Sequence, residues 1–281
     1  MTAIWDFIIC IWNAIFGGGI YVKPGAGLWR GSMFFPHMIY GSSATPPWPG
    51  NSGVDSILGY AGVDGEAGKP WYSQKILNSF AWIQAMGADT LIYISEGFAK
   101  DSSRLKLLCD PSTSGNYVVQ ARKYGIKRWV VSLFNDGPLL ANREPYVKMM
   151  CEAYAWADKN EVAWLIGLET NETMSVAVIR QIIGWLKQYG GGKRILIGSA
   201  SASFLKQFSG DGVELWAETD WHPFQTTMQN APIYLNKLVD LQKCGKTWAG
   251  EWGRGGAVDV DKFITQKAIA LGMDCGSGYY K

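Results

Sequence analysis

The repeated change of hydrophobic period along this chain restricts its fold more than any other feature. Segments whose apolar residues recur every three or four positions alternate with short runs that are apolar almost throughout. QKILNSFAWIQAMG (74–87) has apolar residues at 76, 77, 80, 83 and 86, and ADTLIYISE (88–96) follows it as a strand. The exchange continues with predicted helices over 116–125, 144–159, 174–192, 203–208, 231–244 and 261–272. Between and after them lie predicted strands over 127–135, 161–169, 193–200, 213–222, 246–252 and 273–280. With LWRGSMFF (28–35) at the front, eight strands are expected. Strands that are apolar on both faces belong in a parallel sheet covered by helices. Eight such units suit a closed (β/α)8 barrel of the α/β class, the TIM-barrel architecture, which commonly takes about 250 residues. A single domain over 28–281 therefore accounts for most of the 281 residues. A doubly wound open sheet is disfavoured, since no GxGxxG follows an early strand. The alternation ends at the eighth strand, so its helix is expected to be missing or supplied by the N-terminal segment.

Two stretches stand outside the repeat. Residues 1–27 contain the apolar run AIWDFIICIWNAIF (3–16), followed by a Gly17-Gly18-Gly19 hinge. The run is too short to span a membrane, and no Lys or Arg precedes it, which makes it a poor export signal. It is expected to dock onto another protein chain or to form a short buried helix. Residues 36–73 form a long Pro- and Gly-rich loop after strand one, on the face where barrel active sites assemble. Trp48, Tyr60, Trp71 and Tyr72 in this loop are candidates to line a sugar cleft, with a structural flap or a subunit contact as the alternative.

Charge and composition narrow the partners. A net charge of +2 with scattered Lys and Arg gives no support for nucleic acid or an anionic membrane. The chain has 14 Trp, 13 Tyr and 11 Phe, which points beyond the needs of a core to flat surfaces on which sugar rings stack. The cysteines at 10, 109, 151, 244 and 275 have no ligand spacing and read as buried free thiols. With two His, no HExxH and no strand-end His/Asp cluster, neither a metal nor a cofactor is expected.

Two strand ends carry the chemistry. In AWLIGLETNE, a two-residue side-chain period puts Ala163, Leu165, Gly167 and Glu169 on one face, with the carboxylate last. In TWAGEWG the same period groups Thr247, Ala249 and Glu251. If those faces point inward, Glu169 and Glu251 meet across the barrel mouth, and the small residues beneath them leave space below the site. A carboxylic acid that protonates the leaving oxygen and a carboxylate that attacks the anomeric carbon suit cleavage of a glycosidic bond. A separation of about 5 Å gives retention, and a wider one gives inversion. Capping of the next helix is the structural alternative for Glu169, but Glu172 lies nearer that helix. Glu96, Glu218 and Asp220 are rival acids, expected to contact substrate or to support the pair.

The order of these motifs resembles the superfamily of barrel glycoside hydrolases that includes family-five cellulases and mannanases. In that superfamily an acid/base Glu follows strand four and a nucleophilic Glu follows strand seven. The resemblance implies those roles for Glu169, in Gly167-Leu168-Glu169-Thr170, and for Glu251, in Trp248-Ala249-Gly250-Glu251-Trp252-Gly253. His222-Pro223-Phe224 resembles the His–x–aromatic motif after strand six. Leu168 stands where the family has an Asn that contacts the sugar 2-hydroxyl, and Phe224 stands where it often has Tyr. Substrate contacts are expected from His222, Trp221, Trp252, Asn171, Asn135, His37, Glu96 and Trp48. Arg30 is a weaker candidate for binding a sugar hydroxyl, because it lies lower in its strand, and a core ion pair is its alternative role. The resulting expectation is a cofactor-free, retaining hydrolase of an oligo- or polysaccharide. It would be carried on a virion, for instance a phage tail, through residues 3–16. The alternative is a barrel that has lost activity and serves as a carbohydrate-binding or structural part of an assembly.

Overall fold

The computed structural model of the chain describes residues 27–33, 80–94 apart from 82, 85 and 86, 111–112, 117–134, 143–219, 226–252 and 258–277. Eight parallel strands run β1 (Gly31–Met33), β2 (Thr90–Ile94), β3 (Arg128–Phe134), β4 (Val162–Gly167), β5 (Arg194–Ser199), β6 (Glu214–Glu218), β7 (Thr247–Glu251) and β8 (Asp274–Ser277). Each pairs with the next in sequence order. A parallel bridge between Arg30 and Cys275 joins the last strand to the first, with the Cys275 amide donating to the Trp29 carbonyl at 2.9 Å. The sheet is thus a closed barrel, and each of its strands falls inside a stretch expected to be extended.

Helices follow the strands as the period change requires. They are α1 (Tyr117–Lys123), α2 (Arg143–Ala153), α3 (Thr170–Thr173), α4 (Val176–Tyr189), α5 (Ala202–Lys206), α6 (Ala231–Gln242) and α7 (Val258–Ala270). Residues 80, 81, 83 and 84 are also helical, inside the stretch read as a helix. The α2 helix ends six residues before the expected 159. Beyond it, Ala155 and Ala157 donate to carbonyls only three residues back, so the chain leaves the helix in tight turns. The apolar spacing persisted because Tyr154 still points inward, its ring edge-on to Trp164 with centroids 5.7 Å apart. The cap of α4 is Ser175, whose hydroxyl accepts the Val178 amide at 3.3 Å; Glu172 does not fill that role.

All six residues of β4, and all of β3 after Arg128, are buried, because helices cover one face and the barrel interior fills the other. The interior cluster contains Trp29, Ile92, Val130, Ala163, Leu165, Leu168, Leu196, Trp216 and Trp248. At the N-terminal end of the barrel, the Arg194 guanidinium lies 4.8 Å from the Trp29 ring centroid and 4.7 Å from that of Trp248. Arg194 also pairs with Glu214 and Asp274, and the Trp248 indole N–H donates to Glu214 at 2.6 Å. This charged, aromatic plug closes the end opposite the strand-end glutamates. On the outer side of β1, Arg30 reaches α7: its guanidinium lies 3.3 Å from Asp261 Oδ2 and donates to Thr265 Oγ1. Of the two roles open to Arg30, the core ion pair is the one the structure contains.

Cys151 and Cys275 are buried free thiols and Cys244 is a half-buried one. Burial pushes the Cys151 and Cys275 thiols up to about 12, which makes them poor nucleophiles. Among the described residues no helix is long and apolar enough to cross a membrane. The docking segment 3–16, the hinge, the loop 36–73, Cys10 and Cys109 lie outside the described residues.

Candidate active site

Three strands deliver glutamates to the C-terminal rim. β4 stops at Gly167, and Leu168 packs into the barrel interior, 7% exposed. Strict alternation would have turned Leu168 outward and Glu169 inward. The strand has ended by then, and the chain leaves through Glu169 at φ 47° and ψ 33°. Glu169 is the sole non-glycine residue with positive φ among the described residues. That left-handed conformation costs an L-residue with a β-carbon about 1–2 kcal/mol. It sits where sequence-local preferences yield to the demands of a site. The next turn begins α3, where the Thr170 hydroxyl donates to the Gly198 carbonyl at 2.6 Å and ties the end of β4 to β5. Glu169 occupies the N-cap position of α3 without a side-chain cap bond, so the capping alternative for this carboxylate is not what the structure contains.

Glu218 ends β6 and is 3% exposed. Its Oε2 accepts the Glu169 amide at 3.0 Å. Its own carbonyl accepts Lys237 Nζ at 2.7 Å, and Lys237 also donates to the Ala200 carbonyl, which fixes the ends of β5 and β6 together. The carboxylate lies over Gly198: a β-carbon there would come within 2.6 Å of Glu218 Oε1 and closer still to the Gly167 carbonyl. Gly198→Ala is therefore expected to destabilise the fold by about 1–3 kcal/mol, the usual range for overpacking. Denaturant unfolding would measure it, and an unchanged midpoint would show that the rim can yield.

Glu251 ends β7, also 3% exposed. Its position arises differently from the expected alternation. Trp248, not Ala249, belongs to the interior cluster, while Ala249 packs among the outer residues that face the helices. The register then shifts: Ala217 pairs with Ala249, but Glu218 pairs with Glu251, so Gly250 is an extra residue in β7. A bulge of this kind re-aims the side chains beyond it and is common beside active sites. Here it sets Glu251 opposite Glu218, and the Glu251 carbonyl accepts the Thr219 amide at 2.9 Å. The space expected below the carboxylates is filled. A β-carbon on Gly250 would lie 2.5 Å from the Trp216 indole nitrogen, so that ring occupies the room the missing side chain leaves.

Other assignments sort themselves by burial. Trp252 is 2% exposed and packs against Tyr234 of α6, with ring centroids 6.4 Å apart. It belongs to the outer core and cannot present a face to a sugar; the residue after the strand turned toward the helices. Asn171, on α3, is half-buried and accepts a hydrogen bond from the Ser199 hydroxyl at the end of β5. The Tyr234 hydroxyl donates to the Ala217 carbonyl at 2.7 Å. Burial drives its phenol well above its ordinary range, and Cys275, Glu218 and Glu251 push it further, so it stays a neutral donor behind the rim. His222, Trp221, Asp220, Phe224, Asn135, His37, Glu96 and Trp48 lie outside the described residues. Among the described residues no group of three or more His, Cys, Asp or Glu is placed to hold a metal.

The sequence presents Glu218 as a rival acid that contacts substrate or supports the pair, and carries no direct sign of its bond to the Glu169 amide. The available signal was a glycine at an inward strand-end position, Gly198, beside a strand that itself ends in Glu. The rim so described joins a half-buried acid, Glu169, to two buried ones, Glu218 and Glu251, a grouping suited to acid–base and nucleophilic work on a neutral substrate.

No protein-family model matches the chain, and no curated protein matches it in sequence. Solved structures do. A broad-specificity endoglucanase of the GH5-4 group from Clostridium longisporum superposes with a TM-score of 0.53 at 10% identity, covering 91% of this chain and 86% of the other. A glycoside hydrolase family 5 enzyme from Prevotella bryantii B14 gives 0.54 at 9% identity, covering 93% and 92%. An exo-β-1,4-mannosidase from Opitutaceae bacterium strain TAV5 gives 0.57 at 12% identity, covering 92% of this chain and 53% of that one. The likeness is one of fold. It agrees with the (β/α)8 barrel seen in the described residues.

Proposed function

We propose that this chain is a retaining glycoside hydrolase in which Glu251 is the nucleophile and Glu169 the acid/base. The observation that carries the reading is the pair of glutamates ending β7 and following β4, linked through Glu218 at one rim of the barrel. The solved structures that share this fold include an endoglucanase, a family 5 glycoside hydrolase and an exo-β-1,4-mannosidase, which favours a β-linked glycan as substrate. In the first step the Glu251 carboxylate attacks the anomeric carbon while the Glu169 acid gives its proton to the departing oxygen. An ester to Glu251 forms and the glycosidic C–O bond breaks. In the second step Glu169, now a carboxylate, takes a proton from water, which displaces Glu251 and restores the starting configuration.

Incubation with β-1,4-glucan, xyloglucan and β-mannan, followed by proton NMR of the first-formed reducing ends, tests both parts. Retention means that the new sugar carries the substrate's anomeric configuration before mutarotation. Inverted product would replace Glu251 as nucleophile with a base acting on water. Binding to one of these glycans without any product would favour the second reading, a carbohydrate-binding barrel. Leu168 supports that reading: buried in the interior, it cannot supply the sugar contact that an Asn would make. Attachment to a virion through residues 3–16 rests on the apolar character of that run. Light scattering of the purified full chain that found only monomers would count against it.

A further inference from the structure

We infer that Glu218 is a positioning residue whose carboxylate holds the Glu169 backbone in its left-handed turn and so aims the acid/base side chain. The inference rests on the proposed role of Glu169, but its structural half can be tested alone. Three observations converge. The Glu169 amide donates to Glu218 Oε2 at 3.0 Å. The residue so held is the sole non-glycine at positive φ among the described residues. Glu218 is fixed on both sides: its carbonyl accepts Lys237, and its carboxylate lies in the space over Gly198, where a β-carbon would fall 2.6 Å from Oε1.

The geometry explains why a side-chain acceptor of this reach is buried at this place. A strand that simply continued past Gly167 would carry residue 169 onward along the barrel wall. The turn instead brings its amide toward β6, two strands away, where an acceptor waits. A buried amide left without an acceptor carries its full desolvation penalty. The bond to Glu218 offsets the left-handed backbone, and the direction of the Cα–Cβ bond of Glu169 follows from it. Glu218 thereby ties the acid/base on β4 to the strand paired with the nucleophile's strand, so both working carboxylates share one frame.

Two variants separate reach from charge. Glu218→Gln keeps an acceptor at the same reach without the charge, whereas Glu218→Asp keeps the charge and withdraws the acceptor by one C–C bond, about 1.5 Å. The readouts are the Glu169 amide proton resonance and, on the glycan found in the screen, kcat and KM separately. In the Asp variant the amide resonance should move upfield and kcat fall about ten- to a hundredfold, with KM nearly unchanged. In the Gln variant the resonance should stay downfield and kcat remain at least about tenfold above the Asp variant. An unmoved amide resonance in Glu218→Asp overturns the inference. So does a kcat that follows charge, low in Gln and normal in Asp. If the chain hydrolyses no glycan, the amide resonance alone decides, and the proposed function fails separately.

Discussion

Glu251→Ala is expected to abolish glycan turnover, with a loss of about 10⁴-fold or more, while the protein remains folded. In the proposed mechanism the ester through which retention proceeds forms on Glu251, and without that carboxylate water attacking from that side has neither its proton removed nor its position held. The fold should survive because Glu251 is a buried carboxylate set beside Glu218, and removing a charge from such a rim relieves repulsion and desolvation. Glu169→Ala should behave differently, and the difference identifies the roles. A sugar alcohol leaves badly without a proton, so hydrolysis of a polysaccharide should fall by about 10²- to 10⁴-fold. An aryl glycoside with an acidic phenol needs no proton in the first step. With it the Glu169→Ala variant should release a rapid burst of phenol, then stall as the ester waits for a water that has lost its base. Added azide, which needs no base, should restore the second step. Undiminished hydrolysis by Glu251→Ala removes the nucleophile assignment. Equal losses on both classes of substrate in Glu169→Ala would move the acid role to another rim carboxylate.

The contrast between what could and could not be read from the sequence lies in the difference between period and register. Val162–Gly167 and Arg128–Phe134 are legible as strands because a parallel strand inside a barrel is apolar on both faces, and that signal needs no partner. The glutamates after β4 and at the end of β7 were legible for the same reason, as the polar residues that terminate such runs. Their orientation was not. A period-two reading assumes that the strand continues, yet β4 gives way to a left-handed turn at Glu169 and β7 carries an extra residue at Gly250. Both departures depend on a neighbouring strand, Glu218 in one case and the Ala217–Glu218 register in the other. Ala249 and Trp252 therefore pack toward the helices, where an unbroken alternation back from Glu251 would face Ala249 inward. Tyr154 shows the converse: its inward burial extends a helical spacing through residues that form turns.

Arg30→Ala is expected to cost about 3–5 kcal/mol of folding stability. Arg30 is 2% exposed and Asp261 4% exposed, and the guanidinium joins Asp261 and Thr265 of α7 to the start of β1. Once the cation is removed, a carboxylate is left buried among apolar atoms, and the penalty is dominated by that stranded charge more than by the attraction lost. The location magnifies the effect. The Arg30 carbonyl accepts the amides of Asp89 and Thr90, both at 3.0 Å, and its bridge to Cys275 is where the last strand meets the first. Against a total stability of about 5–15 kcal/mol for an ordinary domain, such a loss removes a large fraction of the margin. The double variant Arg30→Met with Asp261→Leu supplies the decisive comparison. Replacing both charges by apolar groups of similar bulk leaves nothing buried and charged, so most of the lost stability should return, even though two residues have been changed instead of one. Urea titration of the three proteins, with slopes compared to verify that the unfolding remains cooperative, measures the series. A loss below about 1 kcal/mol in Arg30→Ala would mean that the pair is solvated well enough to count as a surface contact. A double variant no more stable than the single one would show that Arg30 acts through its packing, and that the charge on Asp261 is not what its absence exposes.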